Sequence, residues 1–322
     1  MNLVTRKPRG RGRKGAESSA ITAGVGRRTL VDLSKPRRQV RNIRSFKTYT
    51  LSTGQARITV VPELGARAIS LKDLRTGREW LWHPDGGPKL FRNEPGDSFE
   101  RSPLVGIDEC LPTIAPCNWR QRNLPDHGEL WPADWRVDLA AWKHSMLRTT
   151  IRLKVSPFDF ERTIELQQNE IRLSYRLYNR AATEELYLWA MHPLLQLESG
   201  DRLELPTSTR ALLNGADWID ALNSTTSKAK CEKLFASPIS EGRAAISNPE
   251  TGDRLEFEWD PAENNTLGLW LNRGGWHGHH HFALEPANGE PDCLSAAAQR
   301  KRCGAVAPKG SVSWQVCIRV GN

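Results

Sequence analysis

The sequence predicts an all-β protein built as a large antiparallel β-sandwich with long site-forming loops. Three observations carry that expectation. Short segments alternate apolar and polar residues with period two along most of the chain, as strands with one buried face do. Only residues 293–302, CLSAAAQRKR, look helical, and no sustained helical period appears elsewhere. No internal repeat and no low-complexity linker divides the chain after residue 42, so residues 43–322 are expected to form a single sandwich domain.

Residues 1–42 stand apart. They hold 12 of the 46 Lys and Arg residues but only Glu17 and Asp32 of the 37 acidic ones, so the net charge of +9 belongs to this segment. The stretch RKPRGRGRKGAESSA cannot bury enough apolar surface to fold. It reads as a basic, disordered, solvated tail, or as the product of a start codon placed too far upstream, ahead of a nucleic-acid-binding arm.

The strands then follow in order. ARITVVP and ARAISLKDL read as two strands joined by the PELG turn, with TGREWLWHP as a third. LRTTIRLKV, FERTIELQ and EIRLSYRLYN alternate strictly, and RLEFEWD, TLGLWLN, HFALEP and VSWQVCIRV continue the rhythm to the end. Residues 83–135 break it, being rich in Gly, Pro, Asp and Trp. Their apolar and aromatic content argues for a folded loop system over one face of the sandwich. Together with residues 205–240 it is expected to set ligand choice.

Composition narrows the class. No run of about 18 apolar residues exists, so no membrane-spanning helix and no membrane partner are expected. The amino terminus lacks the apolar stretch of a secretory signal, which points to a cytoplasmic protein. The six cysteines show no C-x-x-C pair and are expected to be reduced, buried or inert. Twelve tryptophans outnumber the eight Phe and four Tyr; packing accounts for most, and stacking on sugar faces for two or three.

Three histidines are candidates for chemistry. His127 lies in LPDHGELWPADW, where a strand leaves a loop; His192 stands in the middle of the apolar LYLWAMHPLLQL. A buried imidazole needs hydrogen-bond partners or costs about 1–3 kcal/mol, which chains tolerate where the group titrates usefully. In GHHHFALEP, counting by two from Glu285 puts Ala283, His281 and His279 on its face, while Leu284, Phe282 and His280 point the other way. Desolvation of such a carboxylate raises its pKa and suits it to general-base work.

The order DHGELW, WAMHP, HFALEP resembles the aldose 1-epimerase (galactose mutarotase-like) family, and ITVVPELGARAISLKDLRTGREWLW is similar to that family's opening hairpin. The resemblance runs from about residue 45 to the end. It implies the galactose mutarotase-like supersandwich and an isomerase of carbohydrate metabolism that interconverts the α and β anomers of a monosaccharide or sugar derivative, without metal or organic cofactor. By position, Glu285 would be the base, His192 the acid, and His127 a hydrogen-bonding partner of the sugar near the reacting oxygens, with His281 a further substrate contact. The family's Arg finds Arg101, Asp108 or Glu109 in ERSPLVGIDECLP, and its Asp finds Asp217 or Asp220 in NGADWID. His192 departs from the family context in being followed by Pro193.

Three alternatives remain. A non-catalytic carbohydrate-binding protein on the same fold would use Trp-rich loops to stack the sugar. His279-x-His281-x-x-x-Glu285 matches the first half of the cupin metal motif, implying a metal-dependent isomerase or oxygenase, although its upstream Gly is out of register and no His follows His281. A glycoside hydrolase would pair Glu285 with Asp108 or Glu109.

Overall fold

The computed structural model describes residues 36–212 and 229–321. Asp217, Asp220 and residues 1–35 of the basic tail lie outside the described residues.

Alternation along the chain becomes two antiparallel sheets, with strands numbered here in chain order. The nine-stranded sheet runs β1 (Arg37–Ile43), β2 (Phe46–Ser52), β3 (Ala56–Val61), β4 (Arg67–Asp73), β5 (Ile107–Cys110), β13 (Ala190–Pro193), β19 (His280–Ala287), β18 (Thr266–Arg273) and β15 (Lys230–Ala236). The eight-stranded sheet runs β14 (Arg202–Glu204), β16 (Arg243–Asn248), β17 (Asp253–Trp259), β21 (Ser311–Val320), β11 (Glu170–Asn179), β10 (Phe158–Gln167), β9 (Leu147–Arg152) and β8 (Arg136–Val137). Two small hairpin-like sheets join β6 (Cys117–Trp119) to β7 (Arg122–Leu124) and β12 (Glu185–Tyr187) to β20 (Gly304–Val306).

The main core fills the space between the two large sheets. Leu269, Leu271, Phe282 and Leu284 meet Phe158, Phe160, Leu173 and Ile318 there, each at most 1 % exposed. Each such side chain contributes about 1.5–3 kcal/mol on burial. Among the described residues, no helix is long and apolar enough to cross a membrane.

Several elements differ from expectation. Residues 37–43 form an edge strand, so the tail boundary at residue 42 falls inside β1. Its seven residues are all exposed, and an edge strand with two wet faces carries no apolar alternation to read. TGREWLWHP contributes only the isolated bridges Lys72–Glu79 and Leu81–Leu195. The Glu79 carboxylate replaces ladder carbonyls there, accepting from the backbone N–H of Leu71 at 2.8 Å and Leu81 at 3.2 Å. Besides the expected helix, now α3 (Leu294–Gln299), the described residues form the short helices α1 (Leu139–Lys143) and α2 (Thr207–Leu212). Asp138 caps α1 by accepting from Ala140 and Ala141 N–H.

A charged pair, Glu109 and Arg162, lies inside the core. Glu109 of β5 is fully buried and accepts from Arg162 Nη1 at 2.9 Å, Tyr175 hydroxyl at 2.9 Å and Trp189 Nε1 at 2.8 Å. Three donors compensate a charge that burial would otherwise forbid. Glu109→Ala is expected to destabilise the fold by about 3–5 kcal/mol because it strands Arg162. Urea unfolding of the two proteins measures this; a loss under about 0.5 kcal/mol would mean that the ion knot does not hold the sheets together.

Candidate active site

Strand alternation sends Leu284 and Phe282 into the core and turns Glu285, Ala283 and His281 to the outer face of the nine-stranded sheet. Ladder register carries that face sideways. Gly268 stands opposite Glu285, and Phe235 opposite Gly268. On the other side Ala190 pairs with Ala287, so two steps along His192 comes opposite Glu285. His192 pairs with Asp108, and one step from the Ala68–Ile107 pair sets Arg67 beside Asp108. A single row thus crosses six strands as Arg67, Asp108, His192, Glu285, Gly268 and Phe235.

Side-chain distances follow this register. Arg67 Nε donates to Asp108 Oδ1 at 2.7 Å, and His192 Nε2 lies 3.7 Å from Glu285 Oε1. The second separation is longer than a hydrogen bond. Lys233, two residues before Phe235, reaches over Gly268 and donates to Glu285 Oε2 at 2.7 Å. Its Nζ also lies 3.2 Å from Asp292 Oδ1. Gly268 permits that reach, because a Cβ there would sit 3.0 Å from Glu285 Oε2 and 3.2 Å from Glu285 Cβ.

Loops from residues 83–135 cover the row. The Phe99 ring stacks on His127 at 4.0 Å, and the His127 and His192 rings meet edge to face at 5.2 Å. Asp126 ties this cover down, accepting from His127 Nδ1 at 2.8 Å and from the Phe99 backbone N–H at 2.8 Å. A carboxylate only accepts, so Nδ1 carries the proton and Nε2 is left for other partners. The turn needs its glycine. Gly128 has a φ of +76°, and a Cβ there would lie 2.0 Å from the Leu111 carbonyl oxygen.

Burial sets the electrostatics. Glu285 is 1 % exposed, and desolvation raises its pKa despite the opposing Lys233 ammonium. Burial, with His127 and Lys233 adding to it, holds His192 well below the usual imidazole value, so His192 is neutral near pH 7. Desolvation works against the Lys233 charge, but Glu285 and Asp292 outweigh it and raise its pKa. Burial, then His279 and His280, lower the His281 pKa to about 4.

Glu285, His192, His127 and Asp108 are therefore brought to one place. Glu109 is not: one residue from Asp108, it faces the core with Met191 and holds the sheets together, which removes it from the substrate contacts. The same geometry removes it as a hydrolytic partner of Glu285. Arg101 ends the short turn Phe99–Arg101 with its side chain exposed. His281 shares the outer face but packs on Trp82 at 5.0 Å, with Nε2 3.3 Å from Asn272 Nδ2. The set His279, His281 and Glu285 is not gathered as a cage; the two rings are 6.3 Å apart, and Lys233 binds the carboxylate. Among the described residues no three His, Cys, Asp or Glu side chains are arranged to hold a metal ion.

Four contributors escape sequence reading: Lys233, Arg67, Asp126 and Gly268. A cavity of about 1070 Å³ lies elsewhere, against Thr150, Arg152, Asp159, Glu161 and Arg176 of the other sheet, and includes none of the row.

The fold is that of the galactose mutarotase-like β-sandwiches. No protein-family model and no curated protein sequence matches the chain. Solved structures do match in shape. The Slr1438 protein of Synechocystis sp. PCC 6803 is similar with a TM-score of 0.62 at 20% sequence identity, over 89% of this chain and 96% of that one. A galactose mutarotase-like protein of Clostridium acetobutylicum gives a TM-score of 0.65 at 14% identity, over 89% of this chain and 99% of that one. A proposed aldose 1-epimerase of Klebsiella pneumoniae gives 0.65 at 15% identity, covering 89% of this chain and 83% of that one. At these identities the likeness is one of fold.

Replacing Lys233 by Met is expected to raise the Glu285 pKa further, since it removes the main cation that favours the carboxylate while desolvation remains. Titration of the Glu285 side-chain carbon by NMR in both proteins reads this directly. An unchanged or lower value would show that Lys233 does not hold the charge.

Proposed function

We propose that this protein is an aldose 1-epimerase-like isomerase that interconverts the anomers of a monosaccharide or sugar derivative by general acid/base ring opening. The observation that carries the reading is the approach of Glu285 Oε1 and His192 Nε2 to 3.7 Å on a loop-covered sheet face, with both groups almost fully buried. Opening a hemiacetal requires a base at the C1 hydroxyl and an acid at the ring oxygen; closure on the other face of the aldehyde reverses both transfers. Glu285 takes the hydroxyl proton, and His192 supplies the ring-oxygen proton. His127 Nε2 accepts a hydrogen bond from the sugar beside them. Lys233 touches no reacting atom in this scheme; it keeps Glu285 charged and fixed. Trp270 and Trp276, half-buried and packed edge to face at 6.4 Å, offer flat apolar faces to the sugar ring.

The cycle needs Glu285 deprotonated and His192 protonated. The first condition fails as pH falls through a raised carboxylate pKa, and the second fails as pH rises through an imidazole pKa below 6.5. The kcat/KM profile is therefore expected to peak on the acid side of pH 6.5, and a plateau extending through pH 8 would contradict the assignment of His192 as acid.

A second reading is favoured by one observation. Glu285 is already bonded to Lys233 and His192 rests neutral, which suits a site that binds sugar without turning it over. Polarimetry of a freshly dissolved pure anomer separates the two. Catalysed equilibration by the native protein, reduced about 10²–10⁴-fold in Glu285→Gln with the circular dichroism spectrum kept, supports the isomerase. Sugar binding by calorimetry with no catalysis supports the binder, and equal rates in the two proteins would remove Glu285 from the base role.

A further inference from the structure

Charge is distributed unevenly along the chain well past the basic tail. Residues 33–62 hold seven Lys and Arg and no Asp or Glu, whereas residues 63–322 hold 31 basic and 35 acidic residues. The run fills β1, β2 and β3, which form one end of the nine-stranded sheet. Its cations Arg37, Arg38, Arg41, Arg44, Lys47 and Arg57 are all exposed. None is ion-paired with a described carboxylate, and Glu63, the first acid beyond the run, is taken by Arg92 at 2.6 Å.

Register sorts these side chains by face. Leu51 and Ile58 pair with each other and belong to the core, so the next pair, Ser52 and Arg57, points outward. Arg37 pairs with Ser52, and Lys72 with Arg57, which makes Arg37, Ser52, Arg57 and Lys72 one row on the outer face. Arg41, four residues along β1, shares that face. Arg37 stands about 10 Å from Arg57, two strands away, and about 13 Å from Arg41. Arg38 faces the other way, where it donates to the Trp142 carbonyl and lies over the Trp142 ring at 6.0 Å, which anchors the edge strand. The row stops at Glu79, bridged to Lys72, whose carboxylate is held by the Ser70 hydroxyl at 2.5 Å and the Leu71 N–H at 2.8 Å.

We propose that the β1–β3 edge binds the phosphate backbone of a single-stranded nucleic acid. Charge complementarity selects that occupant. A second copy of the chain would bring the same cations to the contact, and like charges across an interface oppose it. Five of the six exposed cations are arginines, whose planar fork donates two parallel hydrogen bonds to a phosphate. Phe46 and Tyr49, the aromatic residues of these strands, are buried, so the edge has neither an aromatic anchor for a membrane nor a platform for stacking bases. The backbone is then what is recognised, and affinity is independent of base sequence. The stretch RKPRGRGRKG ahead of β1 extends the same charge along the chain. This surface is independent of the acid/base reading, since none of its cations belongs to the row around Glu285.

The test uses the full chain and a fluorescein-labelled single-stranded RNA of mixed sequence, read by anisotropy over a series of salt concentrations. The native chain is expected to bind, with affinity falling steeply as salt rises. Changing Arg37, Arg41 and Arg57 together to Gln is expected to weaken binding about a hundredfold at about 0.1 M salt and to make the slope of log K against log salt shallower by about 2, as the loss of three phosphate contacts requires. All three side chains are exposed, so the circular dichroism spectrum is expected to stay as it is. A control with the same loss of charge, Arg136, Arg152 and Arg176 to Gln on the outer face of the eight-stranded sheet, is expected to keep the native affinity and slope. No binding by the native chain, an unchanged affinity in the edge variant, an equal loss in the control, or binding to phosphatidylserine vesicles but not to RNA would each overturn the proposal.

Discussion

A carboxylate with 1 % exposure on the outer face of a sheet is the constraint from which the rest of the site follows. Removed from water, Glu285 must be paired or lose its charge. Lys233 supplies the pairing, and it can do so only because β18 has no side chain at the crossing point, Gly268. The ammonium is in turn fixed by Asp292, whose backbone is stitched to the segment that bears His127. Compensating one buried charge therefore orders two loops, and the ordered loops bury His192 and make it neutral. The same linkage explains why cation and imidazole stand on opposite sides of the carboxylate, each addressing a different oxygen.

β5 shows how a sheet separates two uses of the same chemistry. Asp108 and Glu109 are neighbours in sequence, both fully buried and each paired with an arginine. Alternation turns Asp108 toward the row and Glu109 into the core, where Arg162, Tyr175 and Trp189 come from strands and loops of both sides. Desolvation raises the pKa of both carboxyls, but only the one on the outer face is next to His192.

The strands with one wet face were legible in the sequence. LRTTIRLKV, FERTIELQ and EIRLSYRLYN fold as their alternation demands, and the period-two count from Glu285 gave the correct face for His281 and Ala283. Arg67 was hidden by a bulge. Ser70 pairs with Thr59 but Ala68 with Val60, so Ile69 is an extra residue that reverses the parity of β4. Counting back from the core residue Leu71 would therefore send Arg67 inward. Lys233 was hidden because KCEKLFA mixes charge into a half-buried strand, so β15 reads as loop. Asp126 needed no long-range contact to be found, since it adjoins His127, but its hold on Phe99 spans 27 residues of irregular chain. Asp108 and Glu109 could not be told apart without the register of a four-residue strand between two loops.

The fold is shared with proteins described as mutarotase-like, while the pairing of Glu285 with Lys233 is read from this chain itself. In the proposed reaction the outer-face row, and not the wider cavity on the eight-stranded sheet, receives the anomeric centre of a sugar. A crystal structure of the protein soaked with a free aldose decides between the two places. The C1 hydroxyl is expected within about 3 Å of the Glu285 carboxylate, with the ring oxygen facing His192. A sugar seated against Arg152 and Asp159 instead, with Glu285 and His192 untouched, would contradict it.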